Sequence, residues 1–296
     1  MCLASEEDKM NMVVHSLFRT VPWYFRDMIL YRRAFGHFPD LANPKKFSEK
    51  IIKRKRTQCF DEHAYSNLAD KYKVRNYVCA VIGADYLVPL LEVYSDADSL
   101  KQDILNVNNA VIKPNHGSGM LLFIEDYPTH DQCRHILKQV KKWMNLDFSR
   151  ISCEYHYRKI SRKILVERMI GTLDNPPIDY KFHIFRQRGE TFFVLQVIER
   201  QQQQKPVFTT YINNFATAYK GSYALGLQER AIAEEALNNS IRLAYNLEYA
   251  RIDWLVHDQG LYFSEITLTP AAGYVTGFGE DLDLLMGKQW QLPQKI

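Results

Sequence analysis

Apolar and polar residues alternate in two stretches near the end of the sequence, residues 251–255 and 261–267. This alternation is the period of a β-strand that buries one face. The polar segment His257–Gly260 between them has the composition of a turn that reverses the chain. The pattern therefore predicts a hairpin in which Asp253 and Glu265, one on each strand, face the same point.

The hydrophobic pattern of the remaining chain predicts both helices and strands. Residues 1–60 have a largely helical pattern, with Ser48 as the cap of a helix whose apolar face begins at Ile51. Further helices are predicted at residues 66–82, ended by Gly83; at 131–144, capped by Thr129; around Tyr155; and at 228–247. Strands are predicted at residues 86–94, 163–170, 179–185 and 191–198, and on both sides of a small-residue loop within residues 109–125. Pro89 lacks a backbone donor, which places the first of these strands at a sheet edge.

The strongest linker signal is residues 171–177, where Gly, Asn and two consecutive Pro residues cluster. We predict a lobe boundary there. The predicted division is a helical region over residues 1–65, one lobe over residues 66–174 and a second lobe over residues 175–296. The polar run Gln201–Gln204 is interpreted as a mobile loop.

At 296 residues, with 46% hydrophobic, 24% charged and 13% aromatic residues, the composition is that of a folded globular protein. The formal net charge of +4 permits anionic ligands such as nucleotides without requiring nucleic acid, so no nucleic-acid partner is predicted. The basic run Lys45–Arg56 has two interpretations, a solvated helix face or a patch for nucleic acid or membrane. The core-like spacing of the aromatic residues around it favours the first.

The segment Met1–Met10 is acidic where a secretory signal would be basic, and no stretch approaches the roughly 18 apolar residues of a membrane span. We therefore predict a cytoplasmic protein without a transmembrane segment. The five cysteines are far apart and never in Cys-x-x-Cys spacing, so free thiols or core residues are expected instead of disulfides or a zinc site.

The predicted hairpin carries the ligands of a divalent metal site. Asp253 and Glu265, with Arg251 close in sequence, suit Mg²⁺ that carries nucleotide phosphates. Mg²⁺ takes few protein carboxylates and completes its shell with water and phosphate. An exposed hairpin with scattered charges is the alternative.

A second chemical signal is Lys113-Pro-Asn-His-Gly-Ser-Gly119, a lysine at the end of a buried strand followed by a small-residue loop. Glycines allow backbone N–H groups to close on phosphate oxygens. The loop lacks the spacing of a P-loop and of the dinucleotide fingerprint, so it is a weak signal alone. Glu167, on the strand before the linker, offers its backbone and carboxylate to an adenine, and Lys181, just after the linker, adds a second cation.

The order of these motifs resembles the ATP-grasp superfamily. The matching segments are Asp70-Lys71, Val-Ile-Lys113-Pro-Asn-His-Gly-Ser-Gly119, Ile-Leu-Val-Glu167, Asp179-Tyr-Lys181, Arg251-x-Asp253 and Glu265-x-Thr-x-Thr-Pro-x-x-Gly273. The likeness is greatest to the TupA-like branch, which is associated with polysaccharide and teichuronopeptide biosynthesis, and it runs from about Asn43 to Gly287.

The resemblance implies an α+β fold of the ATP-grasp type, in which two α+β lobes clamp ATP and a helical N-terminal segment precedes them. ATP and Mg²⁺ are the implied cofactors. The nucleotide-binding residues implied are Lys113, Asn115, His116, Gly117, Ser118, Gly119, Glu167, Arg168, Met169, Ile170, Asp179 and Lys181, with Asp174 as an alternative to Asp179 at the ribose. The implied metal ligands are Asp253, Glu265 and Thr267, and the implied catalytic cations are Arg251 and Lys181.

Two parts of the match, Thr267 and the pair Asp70-Lys71, need their own interpretation. Many superfamily members have Asn in place of Thr267, although a hydroxyl also binds Mg²⁺ or its water. Asp70 and Lys71 are interpreted as a helix cap and a surface charge.

The resemblance leads to one main hypothesis and two alternatives. The main hypothesis is an ADP-forming carbon–nitrogen ligase in which a carboxylate attacks the γ-phosphate to give an acylphosphate, and an amine then captures it. Its partners would be an amino acid or another amine and a sugar carboxylate, free or nucleotide-linked, such as a uronic acid, in bacterial surface polysaccharide or capsule synthesis. The alternatives are an ATP-dependent sugar kinase and a non-catalytic nucleotide-binding scaffold associated peripherally with a glycan assembly complex.

Overall fold

The computed structural model describes residues 21–61, 63–187, 189–200 and 205–293. Its helices are α1 (Trp23–Phe35), α2 (Phe47–Arg56), α3 (Gln58–Asp61), α4 (His63–Ala69), α5 (Val74–Ile82), α6 (Ala97–Asp103), α7 (His130–Met144), α8 (Phe148–Ser152), α9 (Leu227–Leu243) and α10 (Glu280–Lys288). Its strands are β1 (Leu90–Tyr94), β2 (Ala110–Pro114), β3 (Leu122–Ile124), β4 (Ile164–Arg168), β5 (Ile178–Gln187), β6 (Glu190–Glu199), β7 (Val207–Ile212), β8 (Tyr249–His257) and β9 (Gly260–Thr267). Short 3₁₀ turns lie at Ala84–Tyr86, Ile104–Asn106, Tyr155–Lys159 and Pro270–Gly273. The predicted α+β class is confirmed.

The chain forms two compact units. The first comprises residues 1–62, 147–158 and 269–288, and the second comprises residues 63–146, 159–268 and 289–296. The predicted boundary between lobes, at residues 174 and 175, lies between strands β4 and β5 and inside the second unit, and the division into lobes stays a prediction. No helix in the described part of the chain is long and apolar enough to cross a membrane.

The first unit is helical and joins its first and last chain segments through buried polar contacts. Nζ of Lys55 donates to Oδ1 of Asp27 (2.5 Å), to the carbonyl of Ala272 (2.9 Å) and to the hydroxyl of Tyr274 (3.0 Å). The side chains of Lys55 and Asp27 are both fully buried. A buried charge is stable only when it is paired and hydrogen-bonded, so these contacts fix α1, α2 and the turn before Tyr274 together.

The strands of the second unit form two antiparallel sheets. One sheet has four strands in the order β1-β4-β2-β3, and the other has five in the order β7-β6-β5-β8-β9. The five-stranded sheet places large apolar side chains, among them Tyr180, Phe182 and Trp254, in fully buried positions. This core makes the sheet a rigid support for the polar residues that lie on the same strands.

The predicted hairpin is confirmed. β8 and β9 pair in antiparallel register with Asp253 directly opposite Glu265. The turn residues Asp258 and Gln259 have φ values of 45° and 66°, the left-handed conformation of hairpin turns whose twist matches that of the strands. Backbone pairing therefore fixes the two carboxylates at neighbouring positions.

The predicted edge strand is confirmed, but it is shorter than expected. β1 lies at the edge of the four-stranded sheet and begins at Leu90, directly after Pro89. The residues before Pro89 start with a 3₁₀ turn, Ala84–Tyr86, instead of extended backbone.

The predicted helix at residues 66–82 was wrong as one continuous element. α4 ends at Ala69 and α5 begins at Val74. Between them Oδ1 of Asp70 accepts the backbone N–H groups of Tyr72 (2.9 Å) and Lys73 (3.3 Å). Short polar side chains compete with helical hydrogen bonding in this way, so the break occurs at Asp70. Gly83 ends α5 as predicted.

The predicted cap at Ser48 was also wrong. α2 begins at Phe47, so Ser48 lies inside the helix. Its hydroxyl donates to Oδ2 of Asp283 (2.7 Å), whereas the backbone N–H groups of Lys45 and Lys46 donate to Oε2 of Glu49. The carboxylate of Glu49 thus accepts the backbone N–H groups just before the first turn of this helix.

Several smaller expectations can be compared with the structure. Thr129 caps α7 as predicted, because its hydroxyl accepts the N–H of Gln132 at 3.3 Å. Helix α9 ends at Leu243 instead of residue 247, and strand β7 was not predicted. The predicted mobile loop Gln201–Gln204 and the helical pattern of residues 1–20 lie outside the described residues.

Candidate functional site

Asp253, on β8, is the centre of a network of charged side chains in the second unit. Its side chain is 2% exposed. Arg251 donates Nε to Oδ1 (2.6 Å) and Nη2 to Oδ2 (2.7 Å), and Nζ of Lys181, from β5, donates to Oδ2 (2.5 Å). Both oxygens of Asp253 are therefore bound by cations.

Glu265, opposite on β9, has a similar set of partners. Nζ of Lys71 lies 3.1 Å from Oε2, and Nη2 of Arg251 lies 3.4 Å from Oε1. The Thr267 hydroxyl donates to the same Oε1 (2.8 Å) and accepts from Nη2 of Arg251 (3.0 Å). The structure thus brings the three predicted metal-binding side chains, Asp253, Glu265 and Thr267, together around one guanidinium.

The electrostatics of this group follow from its composition of three cations and two carboxylates. Burial alone would raise the pKa of Glu265, but Lys71, Arg251, Lys181 and the hydrogen bond from Thr267 together outweigh burial and hold that pKa well below its usual range. Burial would lower the pKa of Arg251, and Asp253 outweighs it and raises that pKa. With Lys181 also charged, the group has an excess positive charge of one, which suits an anionic ligand.

The oxygen donors of this group fit a hard divalent cation held partly by its substrate. Carboxylate and hydroxyl oxygens of Asp253, Glu265 and Thr267 are the ligand type that Mg²⁺ prefers. Within residues 21–293, apart from the undescribed positions, no group of three or more His, Cys, Asp or Glu side chains is placed to hold a metal. The donor set therefore suits an ion that takes its other ligands from water and phosphate, and not a closed structural metal site.

The loop between β2 and β3 is fixed on one side by Asn115. This side chain is fully buried. Its Nδ2 donates to Oδ1 of Asp70 (2.8 Å) and to the carbonyl of Ser161 (2.9 Å), and its Oδ1 accepts the N–H of Lys163 (2.7 Å). All the hydrogen-bonding groups of the amide are thus engaged with protein, and the side chain of Asn115 fixes the loop.

His116 and the glycines continue this loop. Nε2 of His116 lies 3.3 Å from the carbonyl of Trp143, and burial, followed by the charge of Arg162, lowers the pKa of His116 to about 4. The carbonyl of Gly117 accepts from Nζ of Lys71 (2.7 Å). Gly117 and Gly119 have φ values of 92° and 72°, which favour glycine.

The exposed part of the loop is short. Ser118 and Gly119 are exposed, whereas Asn115, His116 and Gly117 are buried. The half of the loop that is free to meet a ligand therefore consists of Ser118 and Gly119.

A cavity of ≈ 440 Å³ lies beside the four-stranded sheet. Its wall is mostly apolar, with a few charged groups, and its lining residues include Val88, Val111, Lys113, Leu121, Phe123, Glu167, Arg168, Met169, Ile170, Asp179, Arg200 and Leu255. Nζ of Lys113 lies 2.5 Å from Oε2 of Glu167. The predicted adenine-strand residues 167–170 thus line one cavity together with Lys113 and Asp179.

Asp179 links this cavity to the charged group on the hairpin. Its carboxylate contacts Arg200 and lies 3.9 Å from Nζ of Lys181, and Lys181 in turn binds Asp253. Asp174, the alternative ribose residue, is absent from the cavity lining. The cavity and the carboxylate pair are therefore parts of one continuous site within the second unit.

Sequence reasoning missed three cations of this site. Lys71, interpreted as a surface charge, has a side chain only 12% exposed and contacts both Glu265 and the loop. Arg75 pairs with Glu167, and Arg200 pairs with Asp179. No local pattern marks these residues, because each meets its partner across a long sequence separation.

The four-stranded sheet carries the glycine-containing loop and the five-stranded sheet carries the paired carboxylates, in an α+β protein of the ATP-grasp class. The chain belongs to the TupA-like ATP-grasp family, whose model matches residues 49–291. No curated protein matches the chain closely enough to be compared.

Solved structures with a similar fold are remote in sequence. A D-alanine–D-alanine ligase from Helicobacter pylori is 14% identical over 76% of this chain and 61% of its own, with a TM-score of 0.48. An N5-carboxyaminoimidazole synthetase from Staphylococcus aureus complexed with ADP is 13% identical over 76% of this chain and 52% of its own, with a TM-score of 0.43. The chain therefore spans only about three-fifths or half of the length of these proteins.

Proposed function

We propose that this protein is an ATP-dependent carboxylate–amine ligase that works through an acylphosphate. The observation that carries the proposal is the continuous site in the second unit, in which an apolar cavity adjoins a group of three cations and two carboxylates. A base and ribose need an apolar cavity with a few polar groups. A triphosphate and its metal need the cations and the carboxylate oxygens.

The nucleotide is assigned to this site by the chemistry of each part. Adenine would lie against Arg168, Met169 and Ile170, and the ribose would lie near Asp179. The N–H groups of Arg168 and Met169 already donate to Pro89 and Asn109, which leaves the backbone of Ile170 as the donor for a ring nitrogen.

The phosphates would lie between Lys113, Lys181 and the exposed residues of the loop, Ser118 and Gly119. Asp253, Glu265 and Thr267 would hold Mg²⁺, which would neutralise negative charge on the phosphates. Arg251 and Lys71 would stabilise negative charge on the transferring phosphoryl group. Phosphoryl transfer depends on positioning and charge neutralisation more than on a protein nucleophile, and this site supplies both.

The substrates are proposed from family membership. The TupA-like family is associated with polysaccharide and teichuronopeptide synthesis, so we assign a sugar carboxylate, such as a uronic acid, as acyl donor and an amino acid or other amine as acceptor. A cytoplasmic enzyme that associates peripherally with a glycan assembly complex accords with the absence of a membrane-spanning helix in the described residues.

The test is Mg²⁺-dependent ADP release, screened with nucleotide-linked uronic acids and amino acids, with the product mass measured. Ligation requires that ADP release depend on both substrates and that the product mass equal their sum less one water. Release with a hydroxyl sugar alone would instead identify a kinase.

Changing Asp253→Asn together with Glu265→Gln should reduce the rate by about 10³-fold, because the phosphates lose their metal. The matched control is Asp98→Asn with Asp131→Asn, two acids whose side chains are 77% and 82% exposed, and it should leave the rate unchanged. Full activity of the first double variant would refute catalysis at this site.

A further inference from the structure

Glu167 is held by two cations, one on each oxygen. Oε2 lies 2.5 Å from Nζ of Lys113 and Oε1 lies 3.3 Å from Nη1 of Arg75. The side chain of Glu167 is 6% exposed, that of Lys113 is 11% exposed and that of Arg75 is 15% exposed. Ion pairs this far from solvent are weakly screened, so the charges of the three groups act strongly on one another.

The pair of Glu167 and Lys113 is a consequence of strand register. β2 and β4 are antiparallel with Lys113 opposite Leu165, so Glu167, two residues further on, is the diagonal neighbour of Lys113 on the same face. Diagonal neighbours on adjacent strands are within reach of long side chains. The lysine is therefore brought against a carboxylate that would neutralise it.

Arg75 has a fixed position relative to this pair. It lies in the first turn of α5, and its Nη2 donates to the carbonyl of Val88 at 2.9 Å. The guanidinium is thus held by backbone on one side and by Glu167 on the other. It approaches the pair from a helix, whereas the other two residues come from the sheet.

The charge balance decides what this arrangement does. Glu167 and Lys113 alone sum to zero, and a neutral ion pair attracts phosphate weakly. Adding Arg75 gives the three residues a net charge of +1, with the second carboxylate oxygen satisfied by the guanidinium. Lys113 can then turn toward a phosphate without leaving Glu167 as an unpaired buried charge, which would be costly.

We propose that Arg75 is a positioning residue for nucleotide binding, which acts by compensating Glu167 so that Lys113 remains available to the phosphates. This inference rests on the proposed function, because it requires nucleotide phosphates at Lys113. Arg75 itself contacts Glu167 and Val88, so its effect passes through the carboxylate.

The experiment is calorimetric measurement of ADP binding to the full chain with Mg²⁺ at fixed salt. Arg75→Met should weaken ADP binding by about tenfold, the effect of losing one partly buried ion-pair partner near the ligand. Arg75→Lys should bind within about threefold of wild type, since it keeps the charge. Arg134→Met, which removes an exposed arginine of the same unit, should leave the affinity unchanged.

The decisive variant combines Arg75→Met with Glu167→Gln. If Arg75 acts by compensating the carboxylate, removing that charge should make the double variant bind ADP about fivefold more tightly than Arg75→Met alone, whereas a purely structural loss would persist or grow. Circular dichroism of each variant checks that it folds.

The outcomes separate the two proposals. ADP that fails to bind wild-type protein refutes the proposed function. If ADP binds wild type, two results would overturn the role of Arg75 alone. Either Arg75→Met binds ADP as tightly as wild type, or the double variant shows no recovery of affinity over Arg75→Met.

Discussion

His116 is a buried neutral histidine in the loop between β2 and β3. Burial lowers its pKa to about 4, and the nearby charges of Arg162 and Lys71 act in the same direction. Nε2 faces a carbonyl oxygen, that of Trp143, so Nε2 carries the proton and donates. The buried Nδ1 has no hydrogen-bond partner among the described residues. Protonation would place a charge in this buried position, where the attraction of the Asp70 carboxylate is smaller than the effect of burial.

The consequence is a pH dependence of stability with a definite sign. In the unfolded chain a histidine takes up a proton near pH 6.5, whereas folded His116 does so only near pH 4. The unfolded state therefore binds more protons between these values, and stability falls as the pH is lowered through that window. At higher pH, the contribution of His116 is fully present.

We expect His116→Gln, which keeps a side-chain donor for Trp143, to flatten this dependence. Wild type should lose about 1.4 kcal/mol of unfolding free energy per pH unit from this group as the pH falls below 6.5, and the variant should lack that loss. Urea unfolding at pH 7, 6 and 5 measures the difference. Buried His183, whose pKa is also lowered by burial, remains in both proteins, so parallel slopes would show that His116 is not responsible.

At the scale of single residues, the sequence predicted side chains that are neighbours on paired strands. Asp253 and Glu265 are 12 positions apart, and alternation with a turn between them is enough to place them opposite each other. The contact of Lys71 with the same group could not be predicted from the sequence. Lys71 and Glu265 are in contact but lie near opposite ends of the sequence range of the second unit. A lone lysine after a helix gives no local signal of such a contact.

Elements defined by local chemistry were the most predictable. Thr129 and Gln132 form a capping box at the start of α7, where each side chain accepts a backbone N–H of the other residue. The signal lies within four residues, so the sequence contains it completely. The break between α4 and α5 was missed because the apolar spacing continues across it while the hydrogen bonding of Asp70 does not.

We expect Thr129→Ala to destabilise the second unit by about 1 kcal/mol, because the N–H of Gln132 loses its acceptor. The control Thr129→Ser keeps the hydroxyl and should cost only a few tenths of that value. Urea unfolding of wild type and of each variant gives both changes in the free energy of unfolding. Thr129 lies outside the candidate site, so an altered ADP affinity in Thr129→Ala would contradict the assignment of the effect to helix capping.

At the scale of the whole molecule, the division into two units was beyond prediction from local pattern. The first unit takes segments from residues 1–62, 147–158 and 269–288, and no linker composition marks these boundaries. What joins the segments is tertiary contact, such as that between Lys55 and Ala272. The overall class and family were predicted from the order of the motifs, because that order can be read from the sequence without knowing the tertiary contacts.

The buried lysine of the first unit gives a prediction at this scale. Lys55→Met should destabilise the first unit by about 3 kcal/mol, because Arg56 is then the one charged partner left to the buried carboxylate of Asp27 among the described residues. Adding Asp27→Asn should recover part of the loss, since the unpaired charge is removed. Hydrogen exchange resolved by peptide should show faster exchange in α2 of Lys55→Met, and unchanged exchange there would contradict the assigned role.

The three-segment construction of the first unit also sets an order of events during synthesis. Domains usually fold as they leave the ribosome, with the amino-terminal one first. Here α1 and α2 are made early, yet the carbonyl and hydroxyl groups that complete the surroundings of Lys55 belong to Ala272 and Tyr274. Helices α1 and α2 must therefore wait for Ala272 and Tyr274, and most residues of the second unit are made before the first unit can be completed.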